Sequence, residues 1–120
     1  MFATRNADVR RRALKTVEGL PLKGAVTMKP LMQAREMTMM ELHYPTGSGS
    51  PLHIHQHESV CYVVKGRVRM MVAGETHILE AGDACVHPQG VPHGIEAVED
   101  ATVVEVKSPA QPLEQFLGTA

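Results

Sequence analysis

Turn-forming residues divide most of this 120-residue chain into segments that are too short for typical helices. Runs of β-branched and apolar residues lie between the turns, and no helical period of apolar residues occurs before the C-terminal tail. Short strands separated by turn signals at roughly 8–12 residue spacing indicate an all-β sandwich or barrel. The clearest turns are Lys65-Gly66, Ala73-Gly74, Ala81-Gly82-Asp83 and Pro88-Gln89-Gly90, and the clearest strands are residues 60–64, 67–72, 76–80, 84–87, 93–98 and 101–107.

Three histidines alternate at His53, His55 and His57, directly after a loop rich in Gly, Ser and Pro. In an extended strand, side chains two residues apart share a face, so the three imidazoles converge on one side of the backbone. Neutral imidazole is the commonest metal ligand, and a strand that supplies two or three nitrogens needs only one or two more. An exposed polar strand is the plainer alternative, but strict alternation among only seven histidines favours a metal site.

The length and mass of the chain, 120 residues and 13.1 kDa, fit one domain with an apolar core. We expect an N-terminal arm and a first short strand over residues 1–23, a barrel over 24–108 and a tail over 109–120, with one helical turn at 113–117. Basic residues cluster near the start, where we expect a solvated, partly mobile arm rather than a nucleic-acid contact. They are Arg5, Arg10, Arg11, Arg12 and Lys15.

The charge and hydropathy of the chain exclude several classes of partner. A formal net charge of −1 argues against nucleic acid and against a membrane surface. No apolar run approaches the roughly 20 residues that cross a bilayer, and the first residues lack the apolar block of a signal peptide, so we expect a cytoplasmic protein. Cys61 and Cys85 lie in apolar, β-rich sequence, and we expect two reduced thiols rather than a disulfide.

Residues 37–42 are apolar on both faces of a predicted strand that covers residues 34–44. One face would pack on the core, whereas the other needs a cover, as do Val26 and Met28 of the preceding predicted strand, residues 25–29. A second copy of the chain would supply that cover, so we expect a homodimer. The many methionines are expected to fill an adaptable core rather than to bind Cu(I).

The histidine stretch also resembles the first motif of the cupin superfamily. That motif reads Gly, five residues, His, one residue, His, three or four residues, Glu, six residues, Gly; here it begins at Gly47, places its histidines at His53 and His55, and ends at Gly66. The family's Glu falls at Ser59.

A second cupin motif follows in the expected order. It reads Gly, five residues, Pro, one residue, Gly, two residues, His, three residues, Asn; Gly82, Pro88, Gly90 and His93 match it, while Ala97 holds the Asn position. Together the motifs cover roughly residues 47–97. The resemblance implies an antiparallel jelly-roll barrel, also called a double-stranded β-helix, of the RmlC-like type.

The resemblance further implies that His53, His55 and His93 hold a divalent metal ion inside the barrel. Imidazole ligation suits Zn, Ni, Fe or Mn. The fourth position has three alternatives, which are an open site, His57 and Glu58, in that order of preference. Glu58 ranks last because strand parity turns it away from the histidine face.

Further side chains near the motifs are candidates for acid–base chemistry or substrate contact. For each of them, a surface or core position without chemistry is the plainer interpretation. Cys61 shares the parity of Ser59 and is a candidate to face the cavity, whereas His77 lies between two turns and is expected to be exposed. The acid–base candidates are Tyr44, Tyr62, Glu41, His43 and His87.

The sequence supports two hypotheses for the function. Residues 51–58 together with Ser108-Pro109 resemble single-domain bacterial cupins that include pectin-degradation proteins acting on unsaturated uronates. The first hypothesis is therefore a metal-dependent enzyme that isomerises, ring-opens or, as runner-up, oxidises an oxygen-rich small molecule such as a sugar acid, a keto acid or an enediol. The second is a module that binds a metal or a small ligand without turnover, and the absence of a helix-turn-helix pattern favours the enzyme.

Overall fold

The computed structural model describes residues 2–112, which form twelve β-strands and one short 3-10 helix, Asn6–Asp8. No helix in this part of the chain is long and apolar enough to cross a membrane. The helical turn expected at residues 113–117 lies outside the described residues. The strands are β1 (Arg12–Ala13), β2 (Thr16–Val17), β3 (Leu20–Pro21), β4 (Thr27–Gln33), β5 (Thr38–Tyr44), β6 (Gly49–His53), β7 (Glu58–Lys65), β8 (Arg67–Val72), β9 (Glu75–Glu80), β10 (Ala84–His87), β11 (His93–Ala97) and β12 (Ala101–Ser108).

Two antiparallel sheets contribute the buried core. The larger sheet has the order β1-β4-β5-β12-β7-β10, the smaller has the order β6-β11-β8-β9, and β2 pairs with β3 in a separate hairpin. Apolar residues from both sheets form one cluster, and its members at most 1% exposed are Val26, Met28, Cys61, Val63, Val68, Met70 and Val103. The all-β jelly-roll prediction is confirmed.

Strand alternation places the site residues. Along β7, Ser59, Cys61 and Val63 are buried, whereas their neighbours in the strand are exposed. The chain then passes from the larger to the smaller sheet at Gly66, whose φ is 84° and whose added Cβ would collide with the backbone of Asp100. Glycine is therefore required at the end of the first motif.

The two faces of β5 differ in exposure to solvent, whereas the sequence predicts two similar apolar faces. Met37, just before the strand, and Met39 are 48% and 39% exposed, as expected for an uncovered face. Val26 and Met28 are 1% exposed and belong to the core, so the expectation that they need a partner's cover is wrong. The reason is that β4, which begins directly after Val26, lies inside the larger sheet between β1 and β5, and that both side chains join the core.

The strand containing Met28 also extends further than the sequence predicts. It continues through Pro30 to Gln33, and its register with β5 shifts between Pro30 and Met32. A β-bulge accommodates a proline that cannot donate to the ladder, which is why a breaker residue does not end this strand.

The first 23 residues pair with the barrel at several points. Strand β1 pairs with β4, and Lys23 and Gly49 exchange two backbone hydrogen bonds of 2.9 Å. Between these contacts, β2 and β3 are joined by Glu18 and Gly19, both with positive φ, as in the tight two-residue turns of β-hairpins. Where one short strand is expected within residues 1–23, the structure has β1 and a hairpin whose turn contains Glu18.

Candidate metal centre

A cavity of about 300 Å³ lies between the two sheets and the hairpin. Its volume is at the lower end of the range for small-molecule sites. Apolar side chains such as Leu42 and Met70 line much of it. The charged side chains and imidazoles in its wall are Glu18, His53, His55, His57, His87, His93, Glu105 and Lys107.

Three histidine nitrogens meet in the wall of this cavity. His53 ends β6 and His93 begins β11, where the two residues are direct register partners, and His55 follows two residues later. His53 Nε2 and His55 Nε2 are 3.1 Å apart, and a ring nitrogen of His93 lies within 4.8 Å of both. Two imidazole nitrogens on one tetrahedral zinc ion would be about 3.3 Å apart, so this spacing fits a shared ion.

In each of the three rings, a hydrogen bond holds the ring proton on Nδ1 and leaves Nε2 unprotonated. Every Nδ1 of the three rings faces an oxygen that can only accept, so Nδ1 carries the hydrogen and Nε2 keeps its lone pair. Metal-binding histidines show this arrangement. The acceptors are Pro51 O for His53 at 2.7 Å, Val91 O for His93 at 3.1 Å and Glu18 Oε1 for His55 at 2.8 Å. This triad could therefore hold a metal ion.

Burial keeps these imidazoles neutral. Loss of solvation lowers the pKa of His55 to about 3, with a further contribution from the Lys107 charge, and lowers that of His93 to about 3. The pKa of His53 is also lowered by burial, and that of His57 falls to about 4 for the same reason. Neutral imidazole is the form that binds metal, so the site needs no deprotonation near neutral pH.

We expect the metal-free protein to lose stability as the pH falls below about 6.5. Below that pH the histidines of the unfolded chain are protonated, whereas His55 and His93 in the folded chain stay neutral down to about pH 3. Each of the two histidines therefore lowers the free energy of unfolding by about 1.4 kcal/mol per pH unit. Urea unfolding of chelator-treated protein at pH 7, 6 and 5 measures the slope. His55→Ala should reduce the slope, whereas the exposed His77→Ala should leave it unchanged; equal slopes in all three proteins would contradict the expectation.

The alternatives for a fourth ligand occupy different positions. His57 stacks on His55, with ring centroids 4.3 Å apart, but is not among the three nitrogens of the triad. Its Nε2 is buried without a hydrogen-bond partner. Glu58 is exposed on the outer face of β7, while Ser59 is buried and its Oγ accepts a hydrogen bond of 3.2 Å from Lys107 Nζ. An ammonium group thus lies beside the position where the cupin motif has its Glu.

The structure adds to the site a buried ion pair on β12 that the sequence analysis does not predict. Lys107 Nζ lies 3.2 Å from Glu105 Oε1, and the two side chains are 6% and 13% exposed. Burial raises the pKa of Glu105, but the Lys107 charge and hydrogen bond outweigh it and the pKa falls to about 2. The signal in the sequence is the alternation of Val103, Glu105 and Lys107, which places two charges on the inward face of a strand.

The remaining candidates divide by the face on which they lie. Cys61, His87 and Tyr44 line the cavity, and burial followed by the Glu105 charge raises the pKa of Tyr44. Both cysteines are free. The candidates that lie outside the cavity wall are Tyr62, which is 49% exposed, Glu41 and His43, which form an ion pair of 2.7 Å, and His77, which is exposed as predicted.

Comparisons with known proteins agree with this architecture. The KdgF pectin degradation protein of Dickeya dadantii (strain 3937) is 26% identical over 84 residues, which are 69% of this chain and 76% of that protein. An RmlC-like cupin from Shewanella frigidimarina NCIMB 400 superposes with a TM-score of 0.80 at 22% identity, covering 97% of this chain and 96% of that one. KdgF from Halomonas sp. superposes with a TM-score of 0.78 at 24% identity, covering 91% and 95%.

The similarity to these two solved structures shows the fold, and a fold of this kind carries many activities. The family assignment depends instead on the sequence. The model of the cupin domain family matches residues 40–107, which contain both spaced motifs and more than half of the chain. This protein therefore belongs to the cupin family.

Proposed function

We propose that this cupin is a metal-dependent enzyme acting on a small, oxygen-rich carboxylate such as a sugar acid or a keto acid. The observation that carries the proposal is the convergence of three imidazoles, through His53 Nε2, His55 Nε2 and a ring nitrogen of His93, in a cavity that also holds the buried ammonium of Lys107. The histidines would hold a divalent ion, Zn, Ni, Fe or Mn, with the fourth position open. When bound, that ion supplies Lewis acidity towards ligand oxygens.

The charges in the cavity wall favour an anionic ligand. The three ligand histidines are neutral, and Lys107 balances Glu105, so the half-exposed Glu18 is the remaining charged group in the wall. A divalent ion would thus leave a net charge of about +1 in the cavity. Two acceptors, Ser59 Oγ and Glu105 Oε1, engage the ammonium of Lys107, which has three donors, so one donor remains for a carboxylate.

His57 is positioned to move a proton during the reaction. Its Nε2 is buried beside the triad without a hydrogen-bond partner, and burial lowers its pKa to about 4. A neutral imidazole in that state can accept a proton from a bound ligand. We therefore assign proton transfer to His57 and carboxylate binding to Lys107.

The donor set favours isomerisation or elimination over oxidation. The two-histidine, one-carboxylate triad of non-haem iron oxygenases would need Glu58, which is exposed on the outer face of β7. A relative named as a pectin degradation protein points to uronic acids as the first substrates to examine. We therefore propose an unsaturated uronate as the first candidate.

Metal analysis followed by a substrate screen tests the proposal. Elemental analysis of the purified protein should find a bound divalent ion, and nuclear magnetic resonance should follow the conversion of unsaturated uronates, sugar acids and keto acids. Turnover should disappear in His53→Ala, whereas the double variant Lys107→Met with Glu105→Gln, which leaves no unpaired buried charge, should mainly raise KM. Metal-loaded protein that binds these acids and converts none of them would favour the non-catalytic binding module instead.

We also propose that the protein is a homodimer. The outer face of the larger sheet, the sheet that also contains Met39, exposes apolar side chains on β7 and β10. Val60 is 55% exposed, Tyr62 49%, Val64 46% and Val86 49%. Burying this face against a second copy would remove a large apolar patch from water.

Light scattering at micromolar concentration should give twice the 13.1 kDa chain mass. Val60→Glu should shift the protein to monomer by placing a charge in the contact. Ile78→Glu, an equally exposed position on β9 of the other sheet, is the matched control and should remain dimeric. A monomer mass for the unmodified protein would contradict the proposal.

A further inference from the structure

A second cluster of metal-binding side chains lies on two adjacent strands of the larger sheet. Cys61 on β7 and Cys85 on β10 are direct register partners, and their side chains are buried and half-buried. His87 follows Cys85 by two residues on the same strand and therefore shares its face. The Cys-x-His spacing with a cross-strand cysteine brings two sulfurs and one imidazole together.

The distances within this cluster are close to those of a zinc site. His87 Nε2 lies 3.7 Å from Cys85 Sγ and 4.0 Å from Cys61 Sγ, and one ligand atom from each residue lies within 4.8 Å of the others. Sulfur and nitrogen ligands on one tetrahedral zinc ion would be about 3.5 Å apart, and two sulfurs about 3.8 Å apart. Shifts of roughly half an ångström to one ångström would complete the arrangement.

We propose that Cys61, Cys85 and His87 form a second metal site, which takes a thiophilic divalent ion such as Zn²⁺. Two thiolates would neutralise such an ion, which makes a largely buried position favourable. The soft sulfur of Met70 also adjoins this cluster, at 3.2 Å from His87 Nε2. The donors are mainly sulfur, whereas the histidine triad offers only nitrogen, so the two sites differ in the ions that they prefer.

The two sites open onto the same cavity. The rings of His87 and His93 stack with centroids 4.0 Å apart, and both Cys61 and His87 line the cavity wall.

Cobalt titration distinguishes the two sites, because only thiolate ligation produces a sulfur-to-cobalt charge-transfer absorption in the near ultraviolet. Reduced, chelator-treated protein titrated with Co²⁺ should bind two ions per chain and show this absorption. Cys85→Ser should bind one ion without the absorption, whereas His53→Ala should bind one ion and retain it. The absence of the absorption in the reduced unmodified protein, or its persistence at undiminished intensity in Cys85→Ser, would overturn the proposal.

Alkylation provides a test that does not depend on replacing a cysteine. Cys85 is half-buried and can react with iodoacetamide, so its rate of modification reports whether the thiol is ligated. In His53→Ala protein, Zn²⁺ should slow this reaction at least tenfold. Equal rates with and without Zn²⁺ would show that the thiols bind no ion and only pack in the core.

Discussion

Replacing His55 with alanine should weaken the binding of Zn²⁺ or Ni²⁺ at the histidine triad by at least about 100-fold. The substitution removes one of the three converging nitrogens and also the hydrogen bond between His55 and the carboxylate of Glu18. Competition with a chelator of known affinity measures the effect. The apolar core contains no triad histidine, so circular dichroism should show an intact barrel.

The matched control is His57→Ala, which removes a neighbouring imidazole of similar burial that lies outside the triad. With an open fourth position, metal affinity should change less than about threefold while turnover falls. If His57 were the fourth ligand, its loss would weaken binding nearly as much as the loss of His55. If His55→Ala and His93→Ala bound metal with the same affinity and the same number of ions per chain as the unmodified protein, the triad would not be a metal site.

Replacing Lys107 with methionine should destabilise the fold by about 3–5 kcal/mol. The variant keeps most of the side-chain volume but leaves the carboxylate of Glu105, which is 13% exposed, without its charge partner. An unpaired charge in such a position is far costlier than the pair itself. Urea unfolding at pH 7 measures the difference from the unmodified protein.

The double variant Lys107→Met with Glu105→Gln separates charge from packing. Removing both charges should recover stability to within about 1.5 kcal/mol of the original, because no buried ion then remains. If the single variant loses less than about 1 kcal/mol, the pair is solvated in solution, and the role assigned to Lys107 in binding carboxylates loses its basis.

Much of the fold follows from local sequence patterns. Turn residues and β-rich runs predict most strands of the two sheets, and the spacing of Gly47, His53, His55 and Gly66 predicts the cupin motif. Strand parity also predicts that Cys61 faces inward, because the two-residue period of a strand needs no knowledge of its neighbours. Local patterns therefore predict which face a side chain occupies.

Which residue lies opposite a given side chain depends on strand register and on segments that are distant in the sequence. Local patterns therefore do not predict it. Cys85 meets Cys61 only because β10 pairs with β7 in one particular alignment. Parity places Glu105 and Lys107 on the same face of β12 as Val103, but a charged side chain is ordinarily assigned to solvent, and only their mutual contact makes burial tolerable. The sequence predicts an interface for Val26 and Met28 because it does not show that β4 lies inside the sheet, between β1 and β5.

The hairpin turn above the cavity links metal binding to a local opening of the chain. Glu18 has a φ of 50°, in the left-handed region that Gly or Asn occupies with less strain, yet its carboxylate is the group that hydrogen-bonds to His55. Because linkage is reciprocal, an ion that fixes the His55 ring also makes that bond more favourable, and so holds the turn closed. Amide hydrogens of residues 16–20 should consequently exchange more slowly in the loaded protein, so that the hairpin reports occupancy of the site.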